Sequence, residues 1–209
     1  NLSKTQAVLY QQAVTDLAQK IDHVDGIQRR GVILAFLMRF KQICNHPSLF
    51  TGDGGYAADA SGKFDRLASL CGEIASRGEK VLVFTQFREM GDLLQRHVTE
   101  QFHLDAPFLH GGVARTARDR MVDSFQEGAG SPLLLVSLKA GGTGLNLTAA
   151  SQVIHYDRWW NPAVEDQATD RAWRLGQTQT VNVHKLVCEG TVEEKISQVI
   201  DDKRKLAAQ

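Results

Sequence analysis

The sequence predicts an α/β protein built on a parallel sheet that helices cover on both faces. Three observations support this fold class. From residue 62 onward, short apolar runs alternate with longer amphipathic segments. The runs at residues 80–85, 133–137 and 152–156 are almost wholly hydrophobic, as expected for strands buried on both faces. Polar or glycine-rich residues follow each run, and this order is typical of strand–helix–strand units.

The first fifty residues have a different pattern and are predicted to be helical. Amphipathic segments cover residues 4–24 and 27–44. Residues 51–61 are rich in Gly, Ala and Asp, which favours a flexible linker. We therefore expect a helical extension at residues 1–50, a linker at 51–61 and an α/β lobe with a terminal helix at 62–209.

Within the lobe, helices and strands are expected to follow one another along the chain. The predicted elements are a helix at 63–77, a strand at 80–85, a helix at 90–100, a strand at 107–110, a helix at 116–127, strands at 133–137 and 152–156, a helix at 162–175, a strand at 180–186 and a last helix after residue 190. Asn161 suits an N-cap, Pro162 suits the first helical position, and Gly176 is expected to end that helix. Thr191 and Glu194 form a capping-box pattern for the last helix.

Charge and cysteine content exclude several classes of protein. Lys+Arg and Asp+Glu both number 24, so the chain is not globally basic and any nucleic-acid surface must be a local patch. The cysteines form no Cys-x-x-Cys pair and no disulfide framework, which fits a reducing compartment. No apolar run approaches a transmembrane helix, so we expect a soluble intracellular protein without a membrane partner. No metal-ligand spacing is present, so no metal site is predicted.

The segment after the third apolar run carries the first candidate site. Gln167, Arg171 and Arg174 follow an i, i+4, i+7 spacing, which puts them on one face of the predicted helix. Guanidinium groups stay charged and bind phosphate oxygens bidentately, so this face could hold a polyphosphate. Alternatively, Asp170 and Arg174 form an ordinary surface ion pair. For these arginines alone the surface pair is the better interpretation. The neighbouring motifs favour the polyphosphate site instead.

Polar and glycine-rich residues follow each predicted strand. In an open parallel sheet, ligands bind beyond the carboxyl ends of the strands. The residues at these ends are Thr85-Gln86, His110-Gly111-Gly112, residues 137–146 and residues 157–160. Their shared position is better evidence for a site than any one of them.

The glycine-rich segment after residue 137 is the clearest loop. Gly141, Gly142 and Gly144 permit close backbone approach, and Lys139 adds a positive charge. Such a loop can cradle phosphate oxygens, or it can be a tight turn without a ligand. The residues alone favour neither interpretation.

Two further features have both a structural and a functional interpretation. Arg115, Arg118 and Arg120 follow His110 and could track a nucleic-acid backbone, although a solvated helix face is the better interpretation of these residues alone. Of the adjacent tryptophans at 159 and 160, one could anchor the core and the other could form a coupling surface. A wholly structural role is the default for both.

The usual phosphate-binding elements are missing from the sequence. No Gly-x-x-x-x-Gly-Lys-Ser/Thr loop and no Gly-x-Gly-x-x-Gly fingerprint occur. The chain has arginines and a glycine loop suited to a nucleotide, but not the element that holds the phosphates and Mg²⁺. This combination is expected of one half of a two-part site.

An ordered set of motifs resembles the second motor lobe of the Swi/Snf-type ATPases, helicase-like DNA translocases of superfamily two. The matching segments cover almost the whole chain: residues 42–47, 61–64, 81–87 (motif IV), 110–112, 137–147 (motif V), 160–162 (motif Va) and 167–177 (motif VI). Trp173 departs from the smaller side chain expected there and leaves both arginines in place. The compact lobe, without long insertions, favours a prokaryotic protein.

The resemblance implies a RecA-like fold after a helical extension, with ATP and Mg²⁺ held mainly by a first lobe of the same chain. Arg171 and Arg174 would be arginine fingers that stabilise the transferring phosphoryl group. The nucleotide would also meet Gln167, Gly142, Thr143, Gly144 and Leu145. Double-stranded DNA would meet Thr85, Gln86, His110, Gly111, Arg115, Ser137, Lys139 and Asn146. Trp160 would couple lobe closure to movement.

These implications lead to one preferred function and two rivals. The preferred function is the second lobe of an ATP-dependent double-stranded DNA translocase or remodeller, monomeric and nearly inactive without its first lobe. The rivals are a non-catalytic nucleic-acid-binding regulatory module of the same fold and a strand-separating helicase lobe. We expect a cytoplasmic, nucleoid-associated protein if it is prokaryotic and a nuclear one if it is eukaryotic.

Overall fold

The computed structural model describes residues 1–128, 130–141 and 144–207. The chain divides into two compact units. Asn1–Arg66 and Val187–Val199 form the first, which we call the helical unit. Leu67–Leu186 and Ile200–Gln209 form the second, which we call the sheet unit. The domain boundaries expected from the sequence stay a prediction.

The helical unit begins with two long helices. Its elements are α1 (Lys4–Ile21), α2 (Gly26–Asn45), α3 (Pro47–Thr51), a 3-10 turn (Ala58–Ala60) and the first residues of α4 (Gly62–Ser76) and of α9 (Val192–Ala207). Ser3 and Gln6 form a capping box at the start of α1. The Gln6 amide also donates to the carbonyls of Ile43 and Cys44, at 2.8 and 3.0 Å, near the end of α2. One side chain therefore satisfies groups at two helix ends.

Aromatic side chains fill the space between α1 and α2. The buried members of this core are Ala13, Phe36, Phe40 and Ile43. The rings of Tyr10 and Phe40 lie 4.8 Å apart between centroids. The Tyr10 hydroxyl accepts a hydrogen bond of 2.8 Å from the backbone of Val192, so the start of α9 is fixed to α1.

Hydrogen bonds hold the segment at residues 51–61 at both ends. Gly52 adopts a left-handed conformation, with φ of 69°, and closes α3. The backbone of Tyr56 donates to the Ser48 hydroxyl at 3.1 Å, and the Ser3 hydroxyl donates to the Ala60 carbonyl at 2.7 Å. These bonds lie within the helical unit, and a linker function for the segment stays a prediction.

A five-stranded parallel sheet forms the centre of the sheet unit, with strand order β2-β3-β1-β4-β5. Its elements are the rest of α4, β1 (Val81–Thr85), α5 (Arg88–Phe102), β2 (Phe108–Leu109), α6 (Arg115–Glu127), β3 (Leu133–Ser137), α7 (Leu138–Gly141), β4 (Gln152–His155), α8 (Pro162–Thr169), β5 (Asn182–Lys185) and the end of α9. This confirms the α/β parallel sheet predicted from the sequence.

The apolar pattern holds for the central strands but not for the edge. Every residue of β1, β3 and β4 is buried, as strands covered on both faces require. In β5, Asn182 and Val183 are exposed, since this strand has a neighbour on one side only.

The register aligns the carboxyl ends of the central strands. Thr85 of β1 pairs with Ser137 of β3, and Phe84 pairs with His155 of β4. The segments that follow β1, β3 and β4 therefore leave the sheet at one edge. This alignment brings together loops that are far apart in sequence.

The predicted helix at residues 162–175 is wrong in its second half. Asn161 caps α8 as expected, with its side chain accepting from the backbone of Ala163 at 3.0 Å, but the helix ends at Thr169. The backbone of Ala172 bonds to Thr169 in a tighter turn, and Leu147 donates to the Arg171 carbonyl at 2.9 Å. The regular helix therefore stops before Arg171 and Arg174, so Gln167, Arg171 and Arg174 do not share a helix face.

Among the described residues, no helix is long and apolar enough to cross a membrane.

Candidate functional site

Residues 170–177, which we call the arginine turn, follow α8 in a series of short turns. The Arg171 side chain donates from Nε to the Gln167 carbonyl at 3.1 Å. Arg174 donates to the carbonyls of Gly144 and Leu145, at 3.2 and 3.0 Å. Gly176 has φ of 99°, a conformation that glycine adopts without strain. Backbone carbonyls therefore orient both guanidinium groups.

Residues 144–150, which we call the glycine loop, are bonded to the arginine turn along their length. The Gln177 amide donates to the carbonyls of Thr148, Ala150 and Ala172 at 2.9 to 3.1 Å. On the other side, the backbone of Ala149 donates to Gln126 of α6 at 2.8 Å. Since each of these groups has a partner, the loop and the turn form one hydrogen-bonded assembly.

An open cavity of about 620 Å³ lies beside this assembly. Its lining residues are Asn146, Asp170, Arg171, Trp173, Arg174 and Leu175. Trp173 is 61% exposed and Leu175 is fully exposed, which is unusual for large apolar side chains next to charged ones. The cavity has the size of a small-molecule site.

Two arginines and one aspartate, Asp170, line the cavity. Within the described part of the chain, no ion pair involves Arg171 or Arg174. The surface pair of Asp170 with Arg174, which the sequence allowed, does not form. Guanidinium groups oriented by carbonyls and left without a carboxylate are suited to an anionic ligand.

The sequence-predicted nucleotide residues occupy different places. Arg171 and Arg174 line the cavity, and Gly144 and Leu145 hold Arg174 through their carbonyls. Gln167 is exposed on α8 and does not line the cavity. Gly142 and Thr143 lie outside the described residues.

Asp157 joins the ends of two strands and was not selected as a site residue from the sequence. It is 2% exposed and follows β4. Its carboxylate accepts from the Thr85 hydroxyl at 2.6 Å and from the backbone of Gln86 at 2.9 Å. Thr85 is itself buried, so its observed role is to fix the strand end.

Arg158 and Glu165 form a buried ion pair beneath this edge of the sheet. Two guanidinium nitrogens lie 3.1 and 3.2 Å from the two carboxylate oxygens, and both side chains are almost fully buried. Lys185 lies 3.3 Å from the same carboxylate. Burial alone would raise the pKa of Glu165, but the hydrogen bonds from Arg158 and the nearby positive charges lower it.

His155 lies at the end of β4 and is buried in its neutral form. Its ring stacks on Phe84 with centroids 5.4 Å apart, and Nε2 lies 3.0 Å from the Thr169 hydroxyl. Burial lowers the pKa of His155 to about 4, and the surrounding charges have smaller effects of both signs. This imidazole therefore acts as a neutral spacer between β4 and the end of α8.

His110 links the segment after β2 to α5. Its Nδ1 lies 3.0 Å from the Arg88 guanidinium and accepts from the backbone of Gly112, also at 3.0 Å. Two donors at Nδ1 put the ring proton on Nε2. Burial and the Arg88 charge lower the pKa of His110. Gly111 and Arg115 are exposed next to it.

The residues after β3 divide into buried and exposed positions. Ser137 is 9% exposed, and its hydroxyl accepts from the backbone of Ala140 at 3.3 Å. Lys139 is exposed on α7. Asn146 is exposed and lines the same cavity as Arg171 and Arg174, whereas Lys139 does not line it.

The two adjacent tryptophans have different environments. Trp159 packs against the main core of the sheet unit. Trp160 is half-buried and directly precedes the N-cap of α8. The core-anchor role expected for one of the two rings is thus observed for Trp159, and a coupling role for Trp160 stays a prediction.

One group of possible metal ligands was missed because its members are far apart in sequence. The ligand atoms of Cys44, Cys188 and Glu193 lie within 4.8 Å of one another in the helical unit, and all three residues are buried. Lys63 donates to one oxygen of Glu193 at 2.7 Å, and the backbone of Cys188 donates to the other at 3.0 Å. Local spacing rules do not detect cysteines separated by 144 positions.

Comparisons with known proteins agree with the resemblance. Residues 62–176 match the family of the helicase conserved C-terminal domain. The SWI2/SNF2 ATPase C-terminal domain of Sulfolobus solfataricus is 40% identical, with a TM-score of 0.84, over 98% of this chain and 83% of that one. The SWI2/SNF2 ATPase core of the same organism, in complex with double-stranded DNA, is 42% identical with a TM-score of 0.88, over 99% of this chain and 43% of that one.

Relatives of known sequence are much longer than this chain. YwqA of Bacillus subtilis, a candidate ATP-dependent helicase/translocase, is 46% identical over 98% of this chain, which spans 22% of YwqA. The human chromatin-remodeling ATPase INO80 is 42% identical over 70% of this chain and 9% of INO80. The bacterial and archaeal matches fit the expectation of a prokaryotic protein. The chain belongs to the helicase conserved C-terminal domain family and is the second, RecA-like lobe of a Swi/Snf-type ATPase.

Proposed function

We propose that this lobe supplies arginine fingers and DNA-backbone contacts to an ATP-dependent double-stranded DNA translocase or remodeller. A first RecA-like lobe of the same chain would hold most of the ATP and its Mg²⁺. The observation that carries the proposal is the pair Arg171 and Arg174, which line an open cavity without an acidic partner among the described residues. A lobe that served only as a scaffold would gain nothing from these uncompensated charges.

The chemistry of phosphoryl transfer accounts for two arginines at this place. Charge develops on the equatorial oxygens of the transferring group, and guanidinium donors aimed at those oxygens stabilise the transition state. The Gln167 carbonyl orients Arg171, and two carbonyls of the glycine loop orient Arg174. Oriented donors need little reorganisation when the other lobe presents the nucleotide.

The proposed DNA contacts lie on the segments that follow β2 and β3. Lys139 is exposed on α7, Gly111 is exposed between β2 and α6, and Arg115 is exposed as the first residue of α6. Cationic side chains and free backbone amides are the groups that bind phosphate strands without reading bases. The structure of the Sulfolobus relative in complex with double-stranded DNA supports this class of partner for the present chain.

The experiment compares ATP hydrolysis by a two-lobe protein that ends in this sequence with hydrolysis by the 209 residues alone. We expect DNA-stimulated turnover from the two-lobe protein and almost none from the isolated lobe. Arg171→Ala and Arg174→Ala should each lower kcat by about 10³-fold or more, because finger arginines contribute roughly that factor. Arg29→Ala, at an exposed position of α2, is the matched control and should leave turnover unchanged.

Two results would overturn this proposal. Robust DNA-stimulated hydrolysis by the isolated lobe would contradict the two-part site. Unchanged turnover in both alanine variants would contradict the assignment of Arg171 and Arg174 as arginine fingers. A strand-displacement assay separates translocation from unwinding, and efficient displacement would favour the helicase rival. A two-lobe protein that binds DNA but never hydrolyses ATP would favour the regulatory module.

For the cell, the proposal implies a cytoplasmic protein associated with the nucleoid in a prokaryote. We propose that the lobe itself is monomeric, since its partner surface would be the first lobe.

A further inference from the structure

Two cysteines of the helical unit lie against each other with no role in the proposed ATP site. Cys44 is the penultimate residue of α2, and Cys188 precedes α9. Cys44 is fully buried and Cys188 is 2% exposed. Their sulfur atoms lie no more than 4.8 Å apart, and the Cys188 thiol donates to the Cys44 carbonyl at 3.6 Å. We call this pair the dithiol.

We propose that the dithiol is a redox modification site, at which a small hydroperoxide converts Cys44 and Cys188 into a reversible intramolecular disulfide. To form the bond, the two sulfurs need to approach from at most 4.8 Å to about 2.05 Å. Cytosolic disulfides are mostly of this transient, redox-sensing kind.

A metal ion is a poorer occupant of the same place. Glu193 is the third possible ligand, but the Lys63 ammonium donates to one of its oxygens at 2.7 Å. The backbone of Cys188 donates to the other oxygen at 3.0 Å. With the carboxylate already neutralised by a buried cation, a metal would retain only two thiolates, fewer than a closed structural site requires.

The surroundings make the two thiols unequal, as a nucleophile and its resolving partner need to be. The hydrogen bond that Cys44 donates to the ionised sulfur lowers the pKa of Cys188, burial opposes this, and the Lys63 charge lowers it further. The same hydrogen bond and burial raise the pKa of Cys44. Glu193 acts on both sulfurs in the opposite sense to Lys63. Cys188 is therefore the expected attacking thiolate.

The chemical step balances with hydroperoxide as the only oxidant. The Cys188 thiolate attacks one peroxide oxygen, the O–O bond breaks, and the departing hydroxide takes up the proton that Cys188 released on ionising, which forms water. The Cys44 sulfur then attacks the Cys188 sulfenic acid, the S–O bond breaks, and the second hydroxide leaves with the Cys44 proton. Two electrons pass from the two thiols to the peroxide. Hydrogen peroxide yields two waters, and an organic hydroperoxide yields one water and the corresponding alcohol. A dithiol reductant reverses the change by disulfide exchange.

Cys71 is an internal control that the chain itself provides. It is also buried, at 8% exposure, and it belongs to the sheet unit. Burial alone raises the pKa of Cys71 to about 12. The three cysteines are all free in this structure. If burial alone decided the reactivity, Cys71 would behave like the dithiol.

The test treats the folded 209-residue chain with hydrogen peroxide, then denatures it, alkylates free thiols and identifies linked peptides by mass spectrometry. We expect a loss of two mass units, one alkylated cysteine at position 71 and a linked peptide joining positions 44 and 188. Dithiothreitol should restore three alkylated cysteines. The oxidised chain should melt roughly 5 to 10 °C higher, since the bond closes a long loop.

Two alanine variants test whether the disulfide requires the dithiol and not Cys71. Cys71→Ala should form the disulfide as the native chain does, whereas Cys188→Ala should form none and should retain its reduced melting temperature after peroxide. Three alkylated cysteines after treatment of the native chain would overturn the proposal. So would sulfinic acid at either cysteine without the linked peptide, or a disulfide that joins two chains.

Discussion

Arg158 and the arginines of the arginine turn come from one stretch of sequence but have opposite electrostatic environments. Arg158 is buried against Glu165 at 3.1 Å, with Lys185 close to the same carboxylate. Arg171 and Arg174 bind only backbone carbonyls within the described chain. Charge compensation, rather than arginine itself, therefore separates a structural position from a candidate catalytic one. A sequence motif shows the arginines but not their counter-charges.

The energetic reason lies in desolvation. A buried guanidinium costs several kcal/mol to remove from water unless a carboxylate and hydrogen bonds offset that cost. Arg158 meets this requirement inside the protein. Arg174 avoids it by remaining exposed to solvent, so its charge stays available to a ligand.

Replacing Arg158 and Arg174 by methionine should give the largest difference in stability. Arg158→Met leaves Glu165 buried without its main partner, and we expect a loss of about 3 to 5 kcal/mol in the free energy of unfolding. Arg174→Met removes two hydrogen bonds at an exposed site, and we expect a loss below about 1 kcal/mol. All three tryptophans lie in the sheet unit, so their fluorescence during urea unfolding reports on the unit that contains Arg158 and Arg174.

A double variant provides the control for this pair. Arg158→Met with Glu165→Leu removes both charges of the buried pair, and it should recover much of the stability lost in Arg158→Met alone. Equal losses for Arg158→Met and Arg174→Met would contradict the distinction between compensated and uncompensated arginines.

His155 should give the next largest effect, through pH. Its pKa is about 4 in the fold and about 6.5 in an unfolded chain, so the folded state resists protonation. Stability is full above pH 6.5 and falls by about 3 kcal/mol as pH drops to 4, because the unfolded chain binds the proton first. The groups that face this ring are Glu165, Lys185, Asp157 and Arg158.

His155→Gln keeps a polar side chain near Thr169 but cannot titrate. Urea unfolding at pH 8 and at pH 4.5 should show a smaller pH-dependent loss in this variant than in the native chain. The Glu165 carboxyl, whose pKa is lowered, adds its own loss at more acidic pH in both proteins. Identical pH profiles for the two chains would contradict a buried neutral imidazole.

The smallest expected effect concerns the helix that carries Glu165 and ends at the arginine turn. Asn161→Ala removes the side-chain cap of α8 and should cost about 1 kcal/mol of stability. Asn161→Asp retains the cap and should stay within about 0.5 kcal/mol of the native chain. A loss in Asn161→Asp as large as that in Asn161→Ala would mean that the capping bond has no effect on α8.

The sequence predicted those features that local periodicity or residue type encodes. The strands β1, β3 and β4 are mostly apolar, so both their type and their burial could be predicted. Asn161-Pro162 predicted the start of α8 because capping is a local interaction. Thr191 likewise precedes the last helix, and its hydroxyl accepts from the backbone of Glu193 at 3.2 Å.

The remaining features depend on contacts between distant parts of the chain. Just beyond the end of α8 at Thr169, Leu147 donates to the Arg171 carbonyl, a contact that no periodicity encodes. Glu194 shows the same limit, since its carboxylate accepts from Gly190 instead of completing the predicted box with Thr191. The meeting of Cys44 with Cys188 also needs the fold. Sequence patterns therefore indicate the candidate arginines but not the loop that orients them.

The bonds from Arg174 to Gly144 and Leu145 have a thermodynamic consequence. A ligand that displaces the glycine loop changes the acceptors of this guanidinium, and a ligand that draws the guanidinium away leaves two carbonyls to find new donors. If a ligand that displaces the glycine loop changes the affinity for a ligand of Arg174 by some factor, linkage requires the ligand of Arg174 to change the affinity for the other ligand by the same factor.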